Sequence, residues 1–155
     1  MRVACLANEQ FNANGFYRGV GPMSALASRG HEVLSLSGHK PKARFALVRN
    51  IDVLHVHRYC DEQHTIPLIR EAKTHGAAVV WDEDDDWGAI PPTHPVLREK
   101  GKLFWPRRLK DMKTVFRFAD LVTTPSPILA DRLREYGAKE TEVIENYIPG
   151  LFLKR

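Results

Sequence analysis

Residues 77–87, AAVVWDEDDDW, decide the fold that we predict for this chain. The apolar part does not alternate and is rich in Val, which is typical of a strand buried on both faces of a parallel sheet. Five consecutive carboxylates, residues 82–86, follow where that strand ends. In an open parallel sheet, ligands bind beyond the carboxyl ends of the strands, so these carboxylates indicate a candidate site. A solvated acidic turn is the alternative.

The acidic run also predicts that side chains from elsewhere in the chain lie close to it. Like charges within ~5 Å of one another raise each other's pKa and cost stability. We therefore expect cationic or hydroxyl side chains from other parts of the chain to surround the carboxylates.

Strand and helix signals alternate on both sides of this stretch. A first-turn proline and a glycine after the last turn mark helix boundaries, as at Pro22 with Gly30 and at Pro127 with Gly137. The predicted strands are residues 3–7, 31–37, 52–57, the apolar part of 77–87, 121–124 and 141–146, with helices between them. This order predicts an α/β fold, a Rossmann-like parallel sheet of about six strands with helices on both faces.

Length and composition are those of a single globular domain. The chain has 155 residues, 43% of them hydrophobic, and a net charge of +4. No apolar run approaches the ~20 residues of a membrane span, and two cysteines fit reduced thiols, so we expect a cytoplasmic protein. We assign residues 1–148 to the domain and residues 149–155, which contain Leu151, Phe152 and Leu153, to the start of an interdomain linker.

A segment with three glycines, residues 15–21 (GFYRGVG), precedes the first predicted helix. Glycine lets the backbone approach a ligand closely, and the start of a helix offers unpaired N–H groups. Arg18 adds a cation, so the segment suits a diphosphate. It is not the dinucleotide fingerprint, because the glycines do not have that spacing. The alternative is a loop whose glycines only make a turn.

Two histidines, His55 and His57, lie on one face of the third predicted strand because they are two residues apart. We expect His55 to pack within the sheet. His57 and Arg58, at the carboxyl end of the strand, are expected to line the crevice. A metal site needs three or four ligands, and no convincing third ligand accompanies the histidines, so we predict no metal.

The excess of basic residues is local. Residues 98–117 contain eight Lys or Arg and two acidic residues. A helix over residues 106–119 would place four of these cations on one face: Arg107, Lys110, Lys113 and Arg117. This face is either simply solvated or a peripheral contact with anionic membrane lipid. No aromatic side chains interleave the cations, so nucleic-acid binding is not predicted.

Four short motifs together resemble glycosyltransferase family 4, whose members have the GT-B fold. They are RGHEV at 29–33, DVLHVH at 52–57, ADLVTTPSPILADRL at 119–133 and VIENYIP at 143–149. They occur in the order found in the family and extend over nearly the whole chain. The chain is similar to the N-terminal domain of these enzymes. The nucleotide-sugar-binding second domain is not among these residues.

The resemblance implies an enzyme, the acceptor-side half of a glycosyltransferase, which transfers a sugar from a nucleotide-sugar donor to a hydroxyl acceptor. It implies no cofactor beyond the donor substrate, and a C-terminal donor-binding domain as partner, in cis or as a separate chain. A histidine common in the family falls on Asp84. The assigned residues are Asp84 and His57 as catalytic, Arg58, Asp82, Asp85 and Trp87 as acceptor-binding, and Gly15, Arg18, Gly19 and Gly21 as facing the donor phosphates.

Two alternatives stay open. The first is a non-catalytic Rossmann-like module that binds a glycan, a nucleotide or a partner chain. The second is a metal-dependent transferase that takes a D-x-D pair from Asp82, Asp84 and Asp86, and manganese dependence would distinguish it.

Overall fold

The computed structural model describes residues 1–7, 15–58, 63–91, 93–95 and 103–146. Strands and helices alternate along these ranges. In chain order they are β1 (Arg2–Ala7), α1 (Gly21–Ser28), β2 (Glu32–Ser35), α2 (Pro41–Leu47), β3 (Val53–His57), α3 (Thr65–Thr74), β4 (Ala78–Asp82), α4 (Phe104–Phe116), β5 (Leu121–Thr124), α5 (Pro127–Glu135) and β6 (Thr141–Val143). The predicted α/β, Rossmann-like fold is confirmed. The predicted linker, residues 149–155, lies outside the described residues.

The six strands form one parallel sheet in the order β2-β1-β3-β4-β5-β6. The chain passes from β1 to β2 on one side and then returns to β3 on the other. Doubly wound sheets bind ligands at this reversal, beyond the carboxyl ends of the strands. The register pairs His57 with Asp82 and Asp82 with Thr123, so the ends of β3, β4 and β5 lie side by side.

Helices lie on both faces of the sheet, but unequally. Cys5 and Ala7 of β1 pack against Met23 of α1 on what we call the α1 face. Leu6 points to the opposite face, where α2, α3, α4 and α5 cover the larger core. Among the described helices, α1 and the helical turn Phe16–Val20 that precedes it lie on the α1 face. Val80 of β4 is half-buried there, so the prediction that this strand is buried on both faces is wrong at that residue.

The helix boundaries follow from capping chemistry. The Ser126 hydroxyl accepts a hydrogen bond from the Leu129 N–H at 3.2 Å and so caps α5. Gly30, Gly76 and Gly137 follow α1, α3 and α5 with φ of 84°, 86° and 106°, a left-handed conformation that favours glycine. The predicted helix start at Pro127 and the predicted stops at Gly30 and Gly137 are confirmed.

The segment over residues 15–21 differs from its prediction. Phe16–Val20 forms a π-helical turn that runs directly into α1, and the Gly21 N–H donates to the Phe16 carbonyl. The helical path therefore begins before Gly21, and the N–H of that glycine is engaged within it. The predicted glycine loop with free N–H groups at residue 21 is wrong, because the chain is already helical there.

Candidate functional site

Asp82, the last residue of β4, is the centre of a buried polar cluster. The Arg18 guanidinium binds both carboxylate oxygens, Nε to Oδ1 at 2.9 Å and Nη2 to Oδ2 at 2.5 Å. The Thr123 hydroxyl, at the end of β5, donates to Oδ2 at 2.5 Å. Both charged side chains are about 95% buried. The cost of desolvation offsets most of the attraction between two buried charges. We therefore assign this ion pair mainly the role of positioning its two side chains.

Arg18 joins elements that are distant in sequence. Its Nη1 also donates to the Ile144 carbonyl, just after β6, at 2.5 Å, and lies 3.4 Å from Asn146 Oδ1. The guanidinium is therefore surrounded by acceptors from the protein itself. The predicted role of Arg18 at a donor phosphate does not fit this arrangement, because the side chain turns into the fold and Asp82 already neutralises its charge.

His57 lies between two carboxylates. Its Nε2 is 3.9 Å from Asp82 Oδ1 and 3.7 Å from Asp84 Oδ1, which is too far for direct hydrogen bonds. The side chain is 1% exposed, and neither ring nitrogen has a hydrogen-bond partner within the described part of the chain. Buried polar atoms of this kind call for an explanation, such as a bound molecule.

Arg58 contacts two further carboxylates of the acidic run, those of Asp84 and Asp85. Its Nε is 3.2 Å from Asp84 Oδ1, and its Nη2 donates to Asp85. Burial raises the pKa of Asp84, but His57 and Arg58 outweigh that effect and hold it below its usual value. The pKa of Asp85 is raised, first by burial and then by the charge of Asp84, and only partly offset by Arg58. At neutral pH Asp84 is therefore an ionised hydrogen-bond acceptor.

Arg58 itself has a strained backbone. Its φ is 53°, which is uncommon for a residue with a side chain and costs about 1–3 kcal/mol. The conformation lets the Arg58 N–H donate to the Asp82 carbonyl at 3.1 Å while the guanidinium turns back over the acidic run. Strain of this kind is often found at functional sites.

Glu83 reduces the negative charge of the acidic run. The side chain is fully buried, and burial raises its pKa to about 8 against the opposing effects of Trp87 and Arg58. At neutral pH this carboxyl group is mostly protonated. The run therefore carries fewer than five negative charges, which reduces the repulsion between neighbours.

Trp87 does not present an open ring to solvent. It is 6% exposed, and the guanidinium carbons of Arg58 and Arg108 lie 5.4 Å and 5.0 Å from its ring centroid. Cations at these distances are attracted to an aromatic face. The predicted acceptor-binding role of Trp87 does not fit this arrangement, because two arginines lie against the ring.

The structure thus brings most of the predicted residues together and separates others. His57, Arg58, Asp82, Asp84 and Asp85 form what we call the acidic edge, at the carboxyl ends of β3 and β4. Gly15, Gly19 and Gly21 are instead part of the helical path before and into α1. Within the described ranges, no group of three His, Cys, Asp or Glu side chains could hold a metal ion.

Several partners of the acidic edge were not predicted. The Thr123 hydroxyl donates to Asp82, and the Ile144 carbonyl accepts from Arg18, the partner of Asp82. Arg108 of α4 donates to the Arg58 carbonyl. Thr123 had a usable signal, because it is the next-to-last residue of a predicted strand and so lies near the same edge of the sheet. The chain contains many arginines, and no local pattern distinguishes Arg108 from the others.

Comparisons with known proteins found only distant likenesses among solved structures. No family model and no curated protein matches it. Solved structures that resemble it include a fructokinase with bound ATP from Xylella fastidiosa, at 16% identity and a TM-score of 0.40. A second fructokinase from that organism matches at 17% identity and a TM-score of 0.37. The matches cover 89% of this chain and 48% and 50% of those chains, so this chain spans about half their length.

These matches contradict the predicted function. Fructokinases are sugar kinases and not glycosyltransferases, so the prediction of sugar transfer from a nucleotide donor is corrected and not carried further. The fructokinases and the predicted glycosyltransferase have in common only that both are transferases. Both TM-scores are below 0.5, and we transfer no activity from the fructokinases to this chain. The resemblance to glycosyltransferase family 4 stays a sequence-based prediction.

Proposed function

We propose that this chain is a small-molecule-binding domain of a transferase-type enzyme and that a hydroxyl group of the ligand binds at the acidic edge. The observation that carries this proposal is the buried His57 ring, which lies between Asp82 and Asp84 with no hydrogen-bond partner among the described residues. The site is at the carboxyl ends of β3 and β4, next to the reversal in strand order, where such sheets bind ligands.

The distances at the acidic edge suit a hydroxyl group. His57 Nε2 and Asp84 Oδ1 are 3.7 Å apart, so an oxygen set to one side of the line between them reaches both at ~2.8 Å. A hydroxyl both donates and accepts, so it could accept from the imidazole N–H and donate to the ionised Asp84. That second bond would draw the proton away from the oxygen and make it a better nucleophile. Asp85, whose side chain is 44% exposed, marks the solvent side.

The test follows the imidazole of His57 directly. Nitrogen-15 spectra of the histidine rings would be recorded while glycerol, glucose and adenosine are added in turn, and a His57→Gln variant would identify the relevant signals. We expect at least one of the three probes to shift the His57 signals with saturation. The other six histidines serve as internal references. If all three probes leave the His57 signals unchanged, the proposal is wrong.

A matched pair of variants tests the role of Asp84. Asp84→Asn keeps the shape but removes the charge, and we expect about tenfold weaker binding of the responding probe, the size of a charge-assisted hydrogen bond. Asp131→Asn is the control, because Asp131 is 73% exposed on α5 and pairs with Arg134. Equal affinities in the two variants would contradict the role given to Asp84.

A further inference from the structure

A cavity of about 510 Å³ opens on the α1 face of the sheet, away from the four-helix core. Its walls are mostly apolar. They come from α1 on one side, through Pro22, Met23 and Leu26, and from Val80 and Ile144 on the other. Ligand sites in proteins commonly have volumes of roughly 300–1,000 Å³, apolar walls and a few placed polar groups. The size and walls of this cavity fit that description.

The charged side chains that line the cavity balance one another in number, with Arg18 and Arg29 as the cations and Asp82 and Glu145 as the anions. Arg18 and Asp82 line it, but each oxygen of that carboxylate is already bound by the guanidinium. Thr123 also lines it and donates to Asp82. Arg29 and Glu145 are exposed, so a charged ligand at the buried floor of the cavity would have to displace Arg18 or Asp82 from its partner, and this floor favours an uncharged molecule.

His55 supplies a directed polar group in this floor. It lines the cavity, is 9% exposed, and its Nδ1 lies 3.5 Å from Cys5 Sγ. Burial raises the pKa of the Cys5 thiol to about 12, and burial lowers the pKa of His55, so both groups are neutral near pH 7. We assign the tautomer in which the thiol donates to Nδ1 and the imidazole carries its proton on Nε2. Within the described residues, no acceptor binds Nε2.

We propose that this cavity is a second binding site, for an uncharged molecule with an apolar, ring-sized body and a carbonyl or hydroxyl oxygen that accepts a hydrogen bond from His55 Nε2. The apolar body would lie between α1 and Val80. The site shares only Asp82 with the acidic edge and does not depend on the function proposed for that edge.

Methionine methyl signals provide a direct assay. The chain has three methionines. Met23 lines the cavity, Met112 is buried in the four-helix core and Met1 is exposed. Carbon-13 methyl spectra would be recorded with three probes of similar shape: acetophenone, isopropylbenzene and benzoate. We expect acetophenone to shift the Met23 signal with saturation and to leave Met112 in place. An unmoved Met23 signal with acetophenone overturns the proposal.

The ranking of the three probes tests the ligand class. Acetophenone should bind about fivefold more tightly than isopropylbenzene, the size of one net hydrogen bond, and benzoate should bind more weakly than acetophenone. Equal binding of acetophenone and isopropylbenzene would overturn the role of His55. Tighter binding of benzoate would overturn the assignment of an uncharged ligand.

Two variants complete the test. His55→Leu should remove the preference for acetophenone over isopropylbenzene while both still shift Met23, and an unchanged preference would contradict the proposed hydrogen bond. Val80→Phe should fill the cavity from the strand side, where Val80 is only half-buried, and should abolish the Met23 response to both probes. A Val80→Phe variant that keeps the response would place the probe elsewhere and overturn the proposal, even if His55→Leu fails to fold.

Discussion

Each carboxylate of the acidic run has its own environment, and Asp86 shows this most simply. Its Oδ1 accepts a hydrogen bond from the Tyr136 hydroxyl at 2.7 Å and from the Gly88 N–H at 3.0 Å, and its Oδ2 lies 3.3 Å from Arg132 Nε. Burial alone would raise the pKa of this carboxyl, but these three partners lower it below the usual 3.8. Asp86 therefore ties the end of the acidic run to α5 and the residue that follows it.

Tyr136→Phe tests this contact. Because the folded pKa of Asp86 lies below the unfolded value of about 3.8, its stabilising effect is complete above that pH and is lost as the pH falls through the folded pKa. We expect the free energy of unfolding of the variant to be about 1–2 kcal/mol lower than that of the unmodified chain at pH 7. This difference should shrink below pH 3.8. Urea unfolding at several pH values measures both effects.

The Asp86→Asn background provides the control for that measurement. There the carboxylate is absent, so Tyr136→Phe should cost less and its cost should not depend on pH. A cost for Tyr136→Phe that is the same at all pH values in the unmodified chain would show that the hydroxyl acts on something other than Asp86.

At the scale of elements, the close packing of the helical path on β1 explains why the segment 15–21 contains glycine. A Cβ atom built on Gly19 would lie 2.9 Å from the Ala7 Cβ, closer than side chains tolerate. The glycine is needed for contact between two protein elements, and not for approach to a phosphate. This contact lets Arg18 reach across the sheet to Asp82.

Gly19→Ala should therefore push the helical path away from β1. We expect a loss of about 1–3 kcal/mol in the free energy of unfolding, the usual cost of overpacking. Gly38→Ala is the matched control, because a Cβ there meets nothing within 4 Å, and its effect should stay within about 0.5 kcal/mol. Similar stabilities of the two variants would contradict the packing described here.

At the scale of the whole molecule, opposite charges are separated. The acidic edge lies at the carboxyl ends of the strands, whereas Arg107, Lys110, Lys113 and Arg117 form an exposed basic face on α4 and just after it. No described carboxylate pairs with any of these four cations. None of the helices in the described ranges is long and apolar enough to cross a membrane. Contact of the basic face with anionic lipid stays a prediction.

Vesicle sedimentation tests that contact. Vesicles of phosphatidylserine and phosphatidylcholine should bind the chain at low salt, and each removed cation should cost about 1 kcal/mol. The double variant Arg107→Gln with Lys110→Gln should bind about thirtyfold more weakly than Lys40→Gln with Lys42→Gln, although both lose the same charge. Equal binding of the two double variants would mean that only net charge matters, and the basic face would have no special role.

The sequence alone determined the architecture of this chain, because the signals for it are local. Buried strands read as short apolar runs, and helix ends are marked by Ser126, Gly30 and Gly137, whose conformations depend on their immediate neighbours. Strands that alternate with helices leave few arrangements other than a parallel sheet. The position of the acidic run at the carboxyl edge followed from the same logic.

Only the tertiary structure decided which side chains meet at that edge and what they can do. Asp82 and Arg18 are 64 residues apart, and their pairing depends on the close packing at Gly19 that carries the helical path over β1. Because of the same packing, Arg18 binds the carboxylate of Asp82 and not, as predicted, a phosphate. The neutral state of Glu83 and the cavity beside His55 likewise arise from burial, which depends on all the elements that surround a residue and which no stretch of sequence reports on its own.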